Sequence, residues 1–149
     1  MPLCICLQVM DMAQNNLRNI QGIWSADLQY SPGAACDDRF IFLESGIGFY
    51  EQINWGLCGY ERFRYKIMNG ATLLMESNQA FMNDGNDHFE PDDELYVGPR
   101  QISFEIVEVQ SPVFGPIPFL RFLDFQVNHQ SQFGFCRLVE GDYDPEAPV

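Results

Sequence analysis

Basic residues are scarce in this chain: 8 Lys and Arg stand against 21 Asp and Glu, for a formal net charge of −13. Nucleic acid and anionic membrane surfaces both demand a basic footprint, so neither is an expected partner. Histidine is nearly absent, with only His88 and His129, and no HxH, HExxH or paired-cysteine spacing is found. Neither a zinc site nor any other metal or cofactor is therefore expected. The segment 83–87, Asn-Asp-Gly-Asn-Asp, lacks the ligand spacing and closing Glu of a calcium loop. No apolar run approaches a membrane span. The apolar stretch 3–10 lacks a basic flank and is short for a signal sequence. The cysteines, Cys4, Cys6, Cys36, Cys58 and Cys136, are odd in number and widely spaced, which is not a disulfide framework. Reduced thiols and a cytoplasmic location are the expectation. A serine elbow, a phosphate loop, a dinucleotide fingerprint and internal repeats are also missing.

Apolar material is plentiful. Hydrophobic residues make up 46% of the 149, and Phe alone occurs 13 times, too much for a disordered chain. From residue 38 onward the chain reads as successive β-hairpins. Strand patterns cover 17–30, 39–44, 47–54, 62–68, 71–77, 100–109, 119–127 and 133–139. Asn69-Gly70 is the sharpest turn signal, because both residues tolerate positive φ. The stretch 111–118, with its prolines, reads as a connection, and 78–94 as a long acidic loop. Eight antiparallel strands with short connections favour an all-β, up-and-down barrel, because closure removes exposed edges. The expected organisation is a short helical or irregular segment over 1–16, one barrel domain over 17–140, and a frayed acidic tail over 141–149.

Gly22-Ile23-Trp24 lies on the first strand, and Arg137 on the last, within Phe133-Gly134-Phe135-Cys136-Arg137. The GxW pattern followed by a meander of this length resembles the calycin superfamily, the lipocalins and fatty-acid-binding proteins. The resemblance implies that Trp24 plugs the closed end of the barrel, backed by Gly22. It also implies that Arg137 packs across the indole in a cation–π contact. Later lipocalin loop motifs are missing. What the resemblance adds is a barrel that can house an apolar ligand.

Three functions follow as expectations. In the first, a small hydrophobic or amphipathic molecule binds inside the barrel without chemistry, lined by Phe40, Phe42, Phe49, Phe63, Tyr65, Phe104 and Phe125. Arg121 is its polar anchor if it points inward, or a snorkelling rim residue if it does not. The row Arg62, Arg64, Lys66 is likewise either a head-group clamp or a solvated face. The alternate row Phe63, Tyr65, Ile67 is the natural inner one. In the second, the chain is a protein-interaction module using the acidic segment 84–94. In the third, it is a calycin-type enzyme acting on a bound apolar ligand through Cys58 or Tyr65. No catalytic residue is assigned.

Overall fold

Strand alternation becomes antiparallel pairing along nearly the whole chain. The computed structural model describes residues 20–26, 36–86, 88–111 and 114–147. The expected N-terminal segment 1–16, the continuation of the first strand over 27–30, and Cys4 and Cys6 lie outside the described residues. The strands are β1 (Gly22–Ser25), β2 (Cys36–Phe42), β3 (Ile47–Asn54), β4 (Leu57–Met68), β5 (Thr72–Asn83), β6 (Phe89–Asp92), β7 (Arg100–Ser111), β8 (Gly115–Phe122) and β9 (Gln132–Arg137). They pair in the order β4-β3-β2-β1-β9-β8-β7-β5-β6, with a further pairing of β4 to β5. That last pairing closes an eight-stranded antiparallel barrel and leaves β6 outside the ring. No helix among the described residues is long and apolar enough to cross a membrane.

The Asn69-Gly70 signal is realised, with φ of 53° and 72° at the β4–β5 turn. Three local readings are corrected. First, 78–94 is not a loop. β5 runs on to Asn83 and pairs with β6, from Ala80↔Asp92 to Asn83↔Phe89. Second, 111–118 is largely strand: Pro116 and Pro118 lie on β8 opposite Gln110 and Glu108. Pairing of β8 with β9 spans only Phe119 to Arg121, so both prolines sit where β8 has β7 on one side and no ladder on the other. The strand expected over 119–127 accordingly ends at Phe122. Third, the tail is docked, as its contacts below show.

Two apolar clusters result from the period-2 alternation. Trp24, Phe40 and Tyr50 are in register across β1, β2 and β3 and belong to the interior core. Ile23, Ile41 and Phe49, one position along, are also in register and form the heart of a second, outer cluster.

Candidate functional site

Phe40 is the hub of the interior. Its ring lies 5.0 Å from Tyr50, 5.0 Å from Phe133 and 5.2 Å from Phe122. Phe42 continues the stack toward Phe63 at 5.9 Å and Tyr65 at 5.0 Å. Of the expected ligand-lining residues, Phe40, Phe42, Phe63, Tyr65 and Phe104 meet in this core. A void able to hold water would leave accessible surface on its walls, yet Phe40, Phe42, Phe63 and Phe104 are at most 2% exposed. Their surfaces are spent on one another. Phe49 is not with them: it lies on the outer face, because β3 is apolar on both sides. Phe125, past the end of β8, packs on Phe122 at 5.9 Å and carries the Arg100 guanidinium 4.1 Å above its ring. Arg121 alternates with the interior residues Leu120 and Phe122, and its guanidinium pairs with Glu105 at 3.6 Å. Arg64 and Lys66 are exposed, and Lys66 lies 3.8 Å from Glu76.

The three plug residues do come together, though not as the resemblance implies. Trp24 is fully buried, donates from Nε1 to the Ile20 carbonyl at 2.8 Å, and meets the edge of Phe135 at 5.2 Å. A bulge between Ile23 and Trp24 shifts the β9 register, so Phe135 faces Trp24 and Arg137 faces Ile23. The indole neighbour is thus a phenyl ring, and the Arg137 side chain is exposed. Gly22 meets Arg137 through the backbone: a Cβ there would lie 2.7 Å from the Arg137 carbonyl oxygen. At φ 124° the residue is also in a region that favours glycine.

At the opposite end of the barrel, two of the described loops are each tied to a buried acid. Glu61 is 1% exposed on the inner side of β4. Its carboxyl oxygens accept the backbone N–H groups of Tyr96, Val97 at 3.0 Å and Gly98 at 3.3 Å. This fixes the loop 93–99 and seats Val97 in the core. Asp38 accepts the Tyr50 hydroxyl at 2.6 Å and Asn128 Nδ2 at 3.3 Å, which ties down the loop bearing Val127, also a core residue. Burial outweighs these hydrogen bonds and raises the Asp38 carboxyl above its ordinary pKa; burial, with Asp38 beside it, pushes the Tyr50 phenol up as well. A cleft of about 10 Å³ beneath Tyr96, walled by Tyr50, Glu61 and Ala80, has the size of a single water.

On the outer face, Ile23, Ile41, Leu43, Phe49 and Tyr60 are covered by Val139 and Tyr143 of the tail and by Phe81 and Phe89 of the β5–β6 hairpin. Tyr60 is the junction. It stacks on Phe81 at 5.0 Å, meets Phe89 at 5.6 Å and donates its hydroxyl to Glu146. Tyr143 packs on Phe49 at 5.5 Å and donates to Glu51 at 2.6 Å. Burial raises the Glu51 carboxyl and the Tyr143 phenol above their usual ranges. Sequence reasoning missed this cluster because its signal, an apolar outer face on β1 to β3, is indistinguishable from interior alternation until a cover is known.

The acidic segment 84–94 forms the tip and outer strand of the β5–β6 hairpin. Beside it, the β3–β4 tip presents Trp55, 88% exposed and held at φ 56°. A bulky residue in that conformation is strained. Trp55, Cys58, Met82 and Asn83 line an open groove of about 380 Å³ between the two tips. Cys58 donates weakly to the Asn54 and Gly56 carbonyls at 3.6 Å. Tyr65 donates to the Leu43 carbonyl, and burial pushes its phenol up to about 12. Among the described residues, no three His, Cys, Asp or Glu side chains gather to hold a metal ion. No protein-family model matches the chain, and neither a curated protein nor a solved structure matches it.

Proposed function

We propose that this protein is a lipocalin-like barrel of the calycin type that works by surface recognition, as a protein-interaction module. The observation that carries the reading is the interior, where Phe40, Phe42, Phe63 and Phe104 are at most 2% exposed. The outside, by contrast, offers a strained, solvent-facing Trp55 beside the acidic hairpin. The partner surface is 84–94 with Trp55, and its chemistry fits a basic segment, with carboxylates for charge and an indole for cation–π contact. Cys36 and Cys58 are not in disulfides, which suits a reducing compartment such as the cytoplasm.

The test is titration of a lysine- and arginine-rich peptide library against the wild type and two variants. One carries Asp84→Asn, Glu90→Gln, Asp92→Asn, Asp93→Asn and Glu94→Gln together; the other is Trp55→Ala. Salt-sensitive binding that falls at least about tenfold in both variants supports the reading. Equal binding by wild type and the charge-neutralised variant refutes it. A second reading, an apolar ligand inside the barrel, is favoured by one observation. The mouth loops are tied by side chains of Glu61 and Asp38, contacts that local opening releases more easily than a strand ladder. Native mass spectrometry of protein from its own host separates the two, because a retained apolar ligand would move the function inside.

A further inference from the structure

The outside of a barrel faces water, yet Ile23, Ile41 and Phe49 lie in register across three adjacent strands and are at most 5% exposed. Part of their cover, beside the β5–β6 hairpin, is chain that follows the last strand. β9 ends at Arg137, and no strand lies beyond it among the described residues. The described backbone hydrogen bond in this segment is local, Ala147 N–H to the Asp144 carbonyl at 3.1 Å. Among the described residues the grip on the barrel is made by side chains: Val139, the Tyr143 ring on Phe49, the Tyr143 hydroxyl on Glu51, and Glu146 on Tyr60. Between Val139 and Tyr143 sits Gly141, at φ 76° with open space around its Cα, a position suited to a hinge.

We propose that this strip is a peptide-docking site, filled in the closed chain by its own residues 142–146 and, when they swing out about Gly141, by the same segment of a second copy. The site has the anatomy of a recognition pocket, an apolar floor with a few placed polar groups. Phe49 and Tyr60 form the floor. Glu51, 3% exposed, reads the phenol of the incoming tyrosine. The Tyr60 hydroxyl reads an acidic residue three positions further on. Exchange between copies recreates the same contacts in trans, so it requires no new surface. Tethering gives the chain's own segment an effective concentration of about millimolar, so the closed monomer dominates in dilute solution.

The test uses the chain ending at Leu138 and a labelled synthetic peptide of residues 139–149. Saturable binding to the shortened chain, little binding to the full chain, and at least a tenfold loss with a Tyr143→Ala peptide are expected. Equal binding to both chains, or none to a shortened chain that keeps its β circular dichroism and thermal transition, overturns the proposal. If the shortened chain does not fold, a protease site placed between Leu138 and Val139 is cut after folding. The cut segment should then be replaced by labelled peptide, and failure to take up the peptide overturns the docking site. For the second-copy occupant, deleting Glu140 and Gly141 from the full chain shortens the hinge. Sedimentation should show a dimer, and a strictly monomeric deletion variant overturns exchange.

Discussion

The interior core and the outer strip are both aromatic and both buried, but they are closed in different ways. The interior is enclosed by a continuous ladder of eight paired strands, and its rings lie within 5.0 to 6.0 Å of Phe40 on several sides. The outer strip is enclosed by a hairpin and a tail, the tail through side chains. The same residue types thus serve two ends. Where the cover is backbone-paired, burial yields stability. Where the cover is a strap, burial yields a surface that can be exchanged, since regions held by few contacts open at a fraction of the global cost.

The largest effect that distinguishes them is a pair of ring deletions. Phe40→Ala removes the hub and is expected to cost about 3–5 kcal/mol in urea denaturation. Phe49→Ala should cost at least about 1 kcal/mol less, because the strap can settle into the space. Equal losses would mean that the outer strip is as much a part of the cooperative core as the interior. Next is Gly22→Ala, where β1 meets the end of β9. The added Cβ meets the Arg137 carbonyl at 2.7 Å and the backbone is held at φ 124°. A loss of about 2 kcal/mol in the same measurement is expected. A neutral result would show that β1 and β9 can separate at no cost, and the barrel's closure would then rest elsewhere.

Much of the barrel was legible because half-buried strands alternate. The pattern of Phe63, Tyr65 and Ile67 against Arg62, Arg64 and Lys66 assigned β4 to its correct faces, and Phe40, Phe42 and Phe104 to the interior. Legibility failed where a second cover exists. On β3 both Phe49 and Tyr50 are apolar enough to face inward, and the choice depends on Val139 and Tyr143, about ninety residues away. It failed again where polar residues continue a strand. Asn78 and Gln79 read as loop, yet β5 runs through them, because Phe81 and Phe89 flank Tyr60 and give the hairpin an apolar anchor. The acids Asp38 and Glu61 carried no local signal: their role, tying loops over the mouth, follows from register alone.

The buried acids permit a comparison by pH, one acid from each region. Asp38 belongs to the mouth of the interior and Glu51 to the outer strip, and burial raises both carboxyls above their ordinary values of 3.8 and 4.5. On acidification the folded chain takes up these protons before the unfolded chain does. Their contribution to stability therefore rises as pH falls through the raised folded values. The gain is complete below the ordinary ones, and is lost again as pH rises. Thermal melts from neutral pH to about pH 4 should show Asp38→Asn and Glu51→Gln each flattening the profile relative to wild type. Superimposable slopes would mean that neither acid is desolvated.

The smallest effect is the most specific to the strap. Tyr143→Phe keeps the ring on Phe49 and deletes only the hydroxyl that meets Glu51 at 2.6 Å. Loss of one such hydrogen bond costs about 1 kcal/mol. If the tail is a strap, that cost falls on local opening and not on global unfolding. Hydrogen exchange should then speed up about fivefold at the amides of Glu146 and Ala147, while amides of β2 and β7 keep their rates. Uniform acceleration across all strands would show instead that tail and barrel unfold as one unit, and the distinction between a fixed core and an exchangeable strip would be lost.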